Sequence, residues 1–132
     1  MRRLLDTNVY TALKRGDPAV VELVRDSDHL FLPTIVVGEL LHGFRNGSRY
    51  ERNLRDLREF LDRRFVTLVP VGFTTADRFG RIATALRRRG TPIPTNDIWI
   101  AAQAMETGAE LLSFDRHFEA IDRLAWCCPL PS

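Results

Sequence analysis

Four acidic residues, Asp6, Glu39, Asp97 and Asp115, stand in apolar surroundings that suit a charge poorly. Asp6 follows Leu4-Leu5, and Asp115 follows Leu111-Leu112-Ser113-Phe114. Both positions read as the carboxyl end of a strand, where open α/β sheets bind ligands. Glu39 lies within Thr34-Ile35-Val36-Val37-Gly38-Glu39-Leu40-Leu41, and the next charge along the chain is Arg45. Asp97 opens the apolar stretch Asp97-Ile98-Trp99-Ile100-Ala101-Ala102, with no further charge until Glu106. A lone acid on such a helix is costly to bury unless something pairs with it.

No lysine or arginine is adjacent to either helical acid. Four carboxylates converging without a cation repel one another and resist ionisation. A divalent metal ion resolves the conflict, and an oxygen-rich site favours Mg²⁺ or Mn²⁺. The chemistry implied is phosphodiester hydrolysis. The ion polarises a phosphate oxygen, acidifies a bound water and neutralises the leaving oxygen. Taken singly, three of the acids have plainer readings. Asp6 reads as a helix cap, Asp97 as a first-turn acid favoured by the helix dipole, and Asp115 as a turn residue. Glu39 is hardest to explain that way, and the joint placement of the four carries the case.

The elements that must position these acids alternate between strand and helix, a pattern that predicts a parallel sheet covered by helices. Arg3-Leu4-Leu5 reads as the first strand. Asn8 is expected to cap a short helix ending near Gly16. Asp17-Pro18 starts the next, since proline suits the first helical position. His29 to Leu32 reads as the second strand, closed by Pro33. Thr34 is expected to cap a helix to about Phe44, stopped by Asn46-Gly47. Tyr50, Leu54, Leu57 and Leu61 fall at helical spacing. Phe65 to Val69 reads as the third strand. A helix from Thr74 or Thr75 carries Phe79, Ile82, Ala83 and Leu86 to Gly90. The helix from Asp97 to Thr107 ends at Gly108. Glu110 to Phe114 reads as the fourth strand, and Leu124 to Cys127 as a fifth.

Length and composition fit this plan. A chain of 132 residues suits one domain, residues 1–132, able to bury a core without staples. No apolar run approaches the roughly 20 residues needed to cross a bilayer. Two arginines precede only two apolar residues at the N-terminus, which is no secretory signal. The expected location is therefore cytoplasmic. The adjacent Cys127 and Cys128 match no zinc spacing and disfavour a disulfide across one peptide. Formal net charge is only +2, but 18 of the 19 basic residues are Arg, the side chain suited to bidentate phosphate contact.

Four segments resemble the PIN-domain family, and within it the VapC toxins of bacterial toxin–antitoxin pairs. They are Leu4-Leu5-Asp6-Thr7-Asn8, Val36-Val37-Gly38-Glu39-Leu40-Leu41-His42-Gly43, Thr95-Asn96-Asp97-Ile98-Trp99-Ile100-Ala101-Ala102 and Leu112-Ser113-Phe114-Asp115-Arg116-His117-Phe118. They occur in the family's order and span essentially the whole chain. The resemblance implies a three-layer α/β/α sandwich around a mainly parallel sheet. It implies a Mg²⁺- or Mn²⁺-dependent endoribonuclease whose acidic quartet is Asp6, Glu39, Asp97 and Asp115. It implies supporting roles for Thr7, Asn8 and Ser113. It further implies a separate antitoxin that occludes the site, and a homodimer or a toxin–antitoxin hetero-oligomer. Two readings compete: a housekeeping RNA-processing nuclease, and a non-catalytic module that docks a basic partner.

An acidic nuclease site needs cations further out to hold phosphates. Arg45, Arg49, Arg52 and Arg55 are spaced to form one helical edge. Arg87, Arg88 and Arg89 end a helix just before the loop leading to Asp97. Both groups are candidate RNA contacts, against the plainer readings of a solvated face and a dipole-matched helix end. His42, three residues after Glu39, lies near the same helix face. His29 and His117 show no ligand spacing.

Overall fold

A computed structural model describes residues 1–130 of the chain. The elements run β1 (Arg2–Leu5), α1 (Thr7–Lys14), α2 (Pro18–Arg25), β2 (His29–Pro33), α3 (Thr34–Arg45), α4 (Tyr50–Leu61), β3 (Val66–Val69), α5 (Phe73–Arg89), α6 (Thr95–Thr107), β4 (Glu110–Leu112), a 3₁₀ turn (Arg116–Ala120) and β5 (Trp126–Cys127). The strands form one sheet in the order β3-β2-β1-β4-β5, and every neighbouring pair is parallel.

Successive strand residues point to opposite faces. Leu4 and Leu5 are both wholly buried, as are Leu111 and Leu112, so helices cover both faces of the sheet. This is the α/β sandwich expected from the strand–helix alternation. α6 is the most buried helix, with Ile98 and Ile100 to Ala104 all inside. Phe79 of α5 stacks on its Trp99 at a ring separation of 4.2 Å.

The chain builds the sheet outward from β1 through β2 to β3, then crosses back to place β4 on the other side of β1. The order therefore reverses between β1 and β4. The crevice outside the carboxyl ends of those two strands is the topological switch point, the usual ligand site of such sheets.

Several local expectations are corrected. Asp6, rather than Asn8, is the N-cap of α1, and its carboxylate accepts from the Thr7 N–H at 2.7 Å. Pro33 precedes α3 with no side-chain cap. Thr34 is the first helical residue, and its hydroxyl donates to the Val69 carbonyl at 2.7 Å. α5 begins at Phe73, two residues ahead of Thr75, whose hydroxyl accepts from the Gly72 N–H. α6 begins at Thr95, so Asp97 is its third residue. β4 stops at Leu112, and β5 covers only Trp126–Cys127. The arginine edge is broken as well: Arg45 ends α3, whereas Arg49 caps α4 and Arg52 and Arg55 lie within it.

Candidate active site

All four predicted acids meet at the switch point through a shared set of hydrogen bonds. Asp6 is carried out of β1 as the cap of α1, and only 5% of it is exposed. Its Oδ1 accepts from Thr7 N and its Oδ2 from the Ser113 hydroxyl at 2.6 Å. Ser113 lies just past β4. Its Oγ also accepts from the Asp115 N–H at 3.0 Å and from Asn8 Nδ2 at 3.5 Å. One buried hydroxyl thereby fixes the first acid and the backbone of the last. Asn8 completes the link by accepting from the Phe114 N–H at 3.3 Å.

β5 holds this hub from the far side. Ser113 N donates to the Cys127 carbonyl at 3.2 Å, and Trp126 Nε1 donates to the Ser113 carbonyl at 3.0 Å. The half-buried thiols Cys127 and Cys128 are both free.

Glu39 reaches the cluster from α3. Its Oε1 accepts from the Thr7 hydroxyl at 2.5 Å and its Oε2 from Asn96 Nδ2 at 3.3 Å. Asn96 was not anticipated. Its signal was its place beside Asp97 in the first turn of α6, a turn aimed at the cluster.

His117 is the second residue that sequence reasoning missed, and it corrects the expectation that this histidine has no ligand spacing. Asp115 caps the 3₁₀ turn, accepting from the His117 N–H. The tight turn folds the imidazole back, so that Nδ1 lies 2.9 Å from Asp115 Oδ1 and 3.1 Å from Asp97 Oδ2. Spacing of two in a 3₁₀ turn does this; no helical or strand period would have signalled it. The other histidines stay outside. His42 pairs with Asn46 and His29 with Thr67.

Burial without a full cation governs the electrostatics. Burial is the main force pushing the Asp6 carboxyl up to about 6, helped by the charges of Asp97 and Glu39 and opposed by the bonds from Ser113 and Thr7. Asp97 is also raised, first by burial, while its bond to His117 pulls the other way and the charges of Asp115 and Glu39 add to the rise. His117 is raised in turn, chiefly by its bond to Asp97. No arginine or lysine pairs with any of the four acids among the described residues. Donor atoms of Asp97, Asp115 and His117 lie within 4.8 Å of one another, close enough to share a metal ion.

The candidate arginines differ in freedom. Arg87 and Arg88 are exposed at the end of α5, as are Arg49 and Arg52 on α4. Arg45 stacks on Tyr50 and donates to its hydroxyl. Arg89 is held by Asp122 at 3.0 Å and by the Ala120 carbonyl.

Taken together, the chain is a parallel α/β protein of the class that gathers carboxylates from several elements at the switch point of its sheet. It belongs to the PIN-domain family, whose profile matches residues 3–124. Ribonuclease VapC1 of Haemophilus influenzae is 30% identical over 128 residues, covering 93% of this chain and 94% of that one. The tRNA(fMet)-specific endonuclease VapC of Salmonella typhimurium is 26% identical, covering 96% and 99%. The structure of VapBC-1 from nontypeable Haemophilus influenzae superposes with a TM-score of 0.84 at 26% identity, over 96% of this chain and 97% of that one. No helix of the described residues is long and apolar enough to cross a membrane.

Proposed function

We propose that this chain is a metal-dependent endoribonuclease, the toxin of a toxin–antitoxin pair, with Asp6, Glu39, Asp97 and Asp115 as its catalytic acids. One observation carries the reading: four carboxylates are hydrogen-bonded into one cluster at the switch point, and among the described residues no arginine or lysine pairs with them. The donor set suits Mg²⁺ or Mn²⁺, because it is dominated by carboxylate oxygens. Asp6, Asp97 and Asp115 are the residues that would hold the ion, with Glu39 beside them. When bound, such an ion supplies charge neutralisation at a phosphodiester and an acidified water.

The chain's own residues do the positioning. Ser113 orients Asp6 and the Asp115 backbone together. Thr7 and Asn96 each take one oxygen of Glu39 and leave lone pairs on both for further protons or water. Arg87 and Arg88 sit at the end of α5, one short loop before Asp97, where exposed guanidinium groups suit an RNA backbone. Arg49 and Arg52 are the second candidate contact. The inhibitor that this reading calls for is a separate antitoxin that sets positive charge against the acids. Relatives carrying the VapC name, and the likeness to VapBC-1, support that pairing.

The test is cleavage of labelled RNA by the purified chain with Mg²⁺ or Mn²⁺. Asp6→Asn and Asp97→Asn should each reduce cleavage to background while preserving the fold. Undiminished cleavage by both variants, or full cleavage after chelation, contradicts the proposal.

A further inference from the structure

We propose that His117 is itself a metal ligand, completing an Asp97–Asp115–His117 donor set that favours Mn²⁺ over Mg²⁺. This rests on the reading of the cluster as a metal centre and adds to it a nitrogen donor outside the acidic quartet.

The geometry points to ligation. His117 Nδ1 stands 3.1 Å from Asp97 Oδ2 and 2.9 Å from Asp115 Oδ1. In an octahedral site with bonds of about 2.1 Å, adjacent donors lie about 3.0 Å apart. The two observed separations match two such edges. All three donors lie within 4.8 Å of one another. Each carboxylate keeps its second oxygen outside these two contacts. With its proton on Nε2, neutral imidazole offers the Nδ1 lone pair; an imidazolium gives up its Nδ1 proton to solvent on ligation.

The turn is built to hold the ring there. Asp115 caps it through the His117 N–H, and the next residue, Phe118, is almost wholly buried and anchors it in the core. The imidazole itself is half exposed, which leaves it reachable by a hydrated ion. An imidazole donor shifts preference away from Mg²⁺, which favours oxygen, toward first-row transition ions.

The alternative role is a counter-charge: a protonated His117 that balances the acids and is displaced by the ion. The two roles predict opposite changes. The experiment uses the full chain, stripped of metal and loaded with Mn²⁺, read by electron spin-echo spectroscopy and by calorimetric titration of Mn²⁺ and Mg²⁺. Ligation predicts coupling to one imidazole ¹⁴N, absent in His117→Ala and His117→Gln. It also predicts Mn²⁺ binding weakened at least about tenfold, with a smaller loss for Mg²⁺. Unchanged circular dichroism of the metal-free variants checks the fold. If Mn²⁺ binds, Asp97→Asn abolishes binding and no ¹⁴N coupling is seen, the ligand role is overturned and the metal centre stands. Tighter Mn²⁺ binding in His117→Ala overturns it in favour of the counter-charge. If Mn²⁺ does not bind, or binds equally to Asp97→Asn, both the ligand role and the metal centre fall.

Discussion

The β1–β4 strand pair carries charge at both of its ends, and the two ends treat it in opposite ways. At the amino end, Arg3 is buried yet compensated. It faces Glu110 in register, donates to it at 3.1 Å, and donates also to the Leu23 carbonyl and the Ser27 hydroxyl. Asp26 approaches at 3.8 Å from the surface. At the carboxyl end, Asp6 is equally buried and meets only neutral donors and more acids. The same scaffold thus carries one charge that serves stability and one cluster that opposes it. An uncompensated buried charge persists where something outside the chain completes it, and perturbed carboxyls of this kind gather at functional sites.

The largest test of that contrast is at the structural end. Removing one partner of a buried pair typically costs about 3–5 kcal/mol. Arg3→Ala should destabilise the chain by about that much, read from urea unfolding. A loss below about 1 kcal/mol would show that the compensated end is no stabiliser.

The carboxyl end should show the opposite sign. Asp6 titrates at about 6 in the folded chain and at 3.8 without the fold, so the folded state binds more protons between those values. Stability of the metal-free protein contributed by Asp6 is then complete below pH 3.8 and lost as pH rises through 6, by about 3 kcal/mol in all. Asp97, also raised by burial, adds in the same direction. The measurement is unfolding free energy against pH for the wild type minus Asp6→Asn. A flat difference would erase the contrast between the two ends.

Ser113 ties two of the acids together, and its loss should have a smaller effect. Ser113→Ala removes the donor to Asp6 and the acceptor of the Asp115 N–H. The expected loss is about 1–2 kcal/mol of stability, together with slower RNA cleavage. Smallest of all should be Arg88→Ala, which is expected to lower the salt slope of RNA binding by about 1 and leave stability unchanged. Arg89→Ala, at a side chain already held by Asp122, should do the reverse.

The contrast also explains what could be read from residue order. Asp6 and Asp115 were visible because acids after apolar strands are unusual, and Glu39 because its neighbours are apolar. Asp97 depended on resemblance, since a first-turn acid has an ordinary reading. The parallel sheet followed from strand–helix alternation. The connectors were less legible. A 3₁₀ turn has no apolar period, so Arg116–Ala120 and the return of His117 left no pattern. Asp6 and Asn8 are both residue types that cap helices, and order alone does not choose between them; tertiary bonds to Ser113 and Phe114 claim the Asn8 amide and leave the cap to Asp6. The arginine edge failed because spacing alone ignores the break between α3 and α4.

If a divalent ion completes the carboxyl end, unfolding of the full chain against added Mn²⁺ must reveal it. An ion that binds only the folded state stabilises it by about 2.7 kcal/mol at 100 times its dissociation constant. That gain is expected in the wild type and its loss in Asp97→Asn. No gain in the wild type, or an equal gain in both proteins, would contradict it.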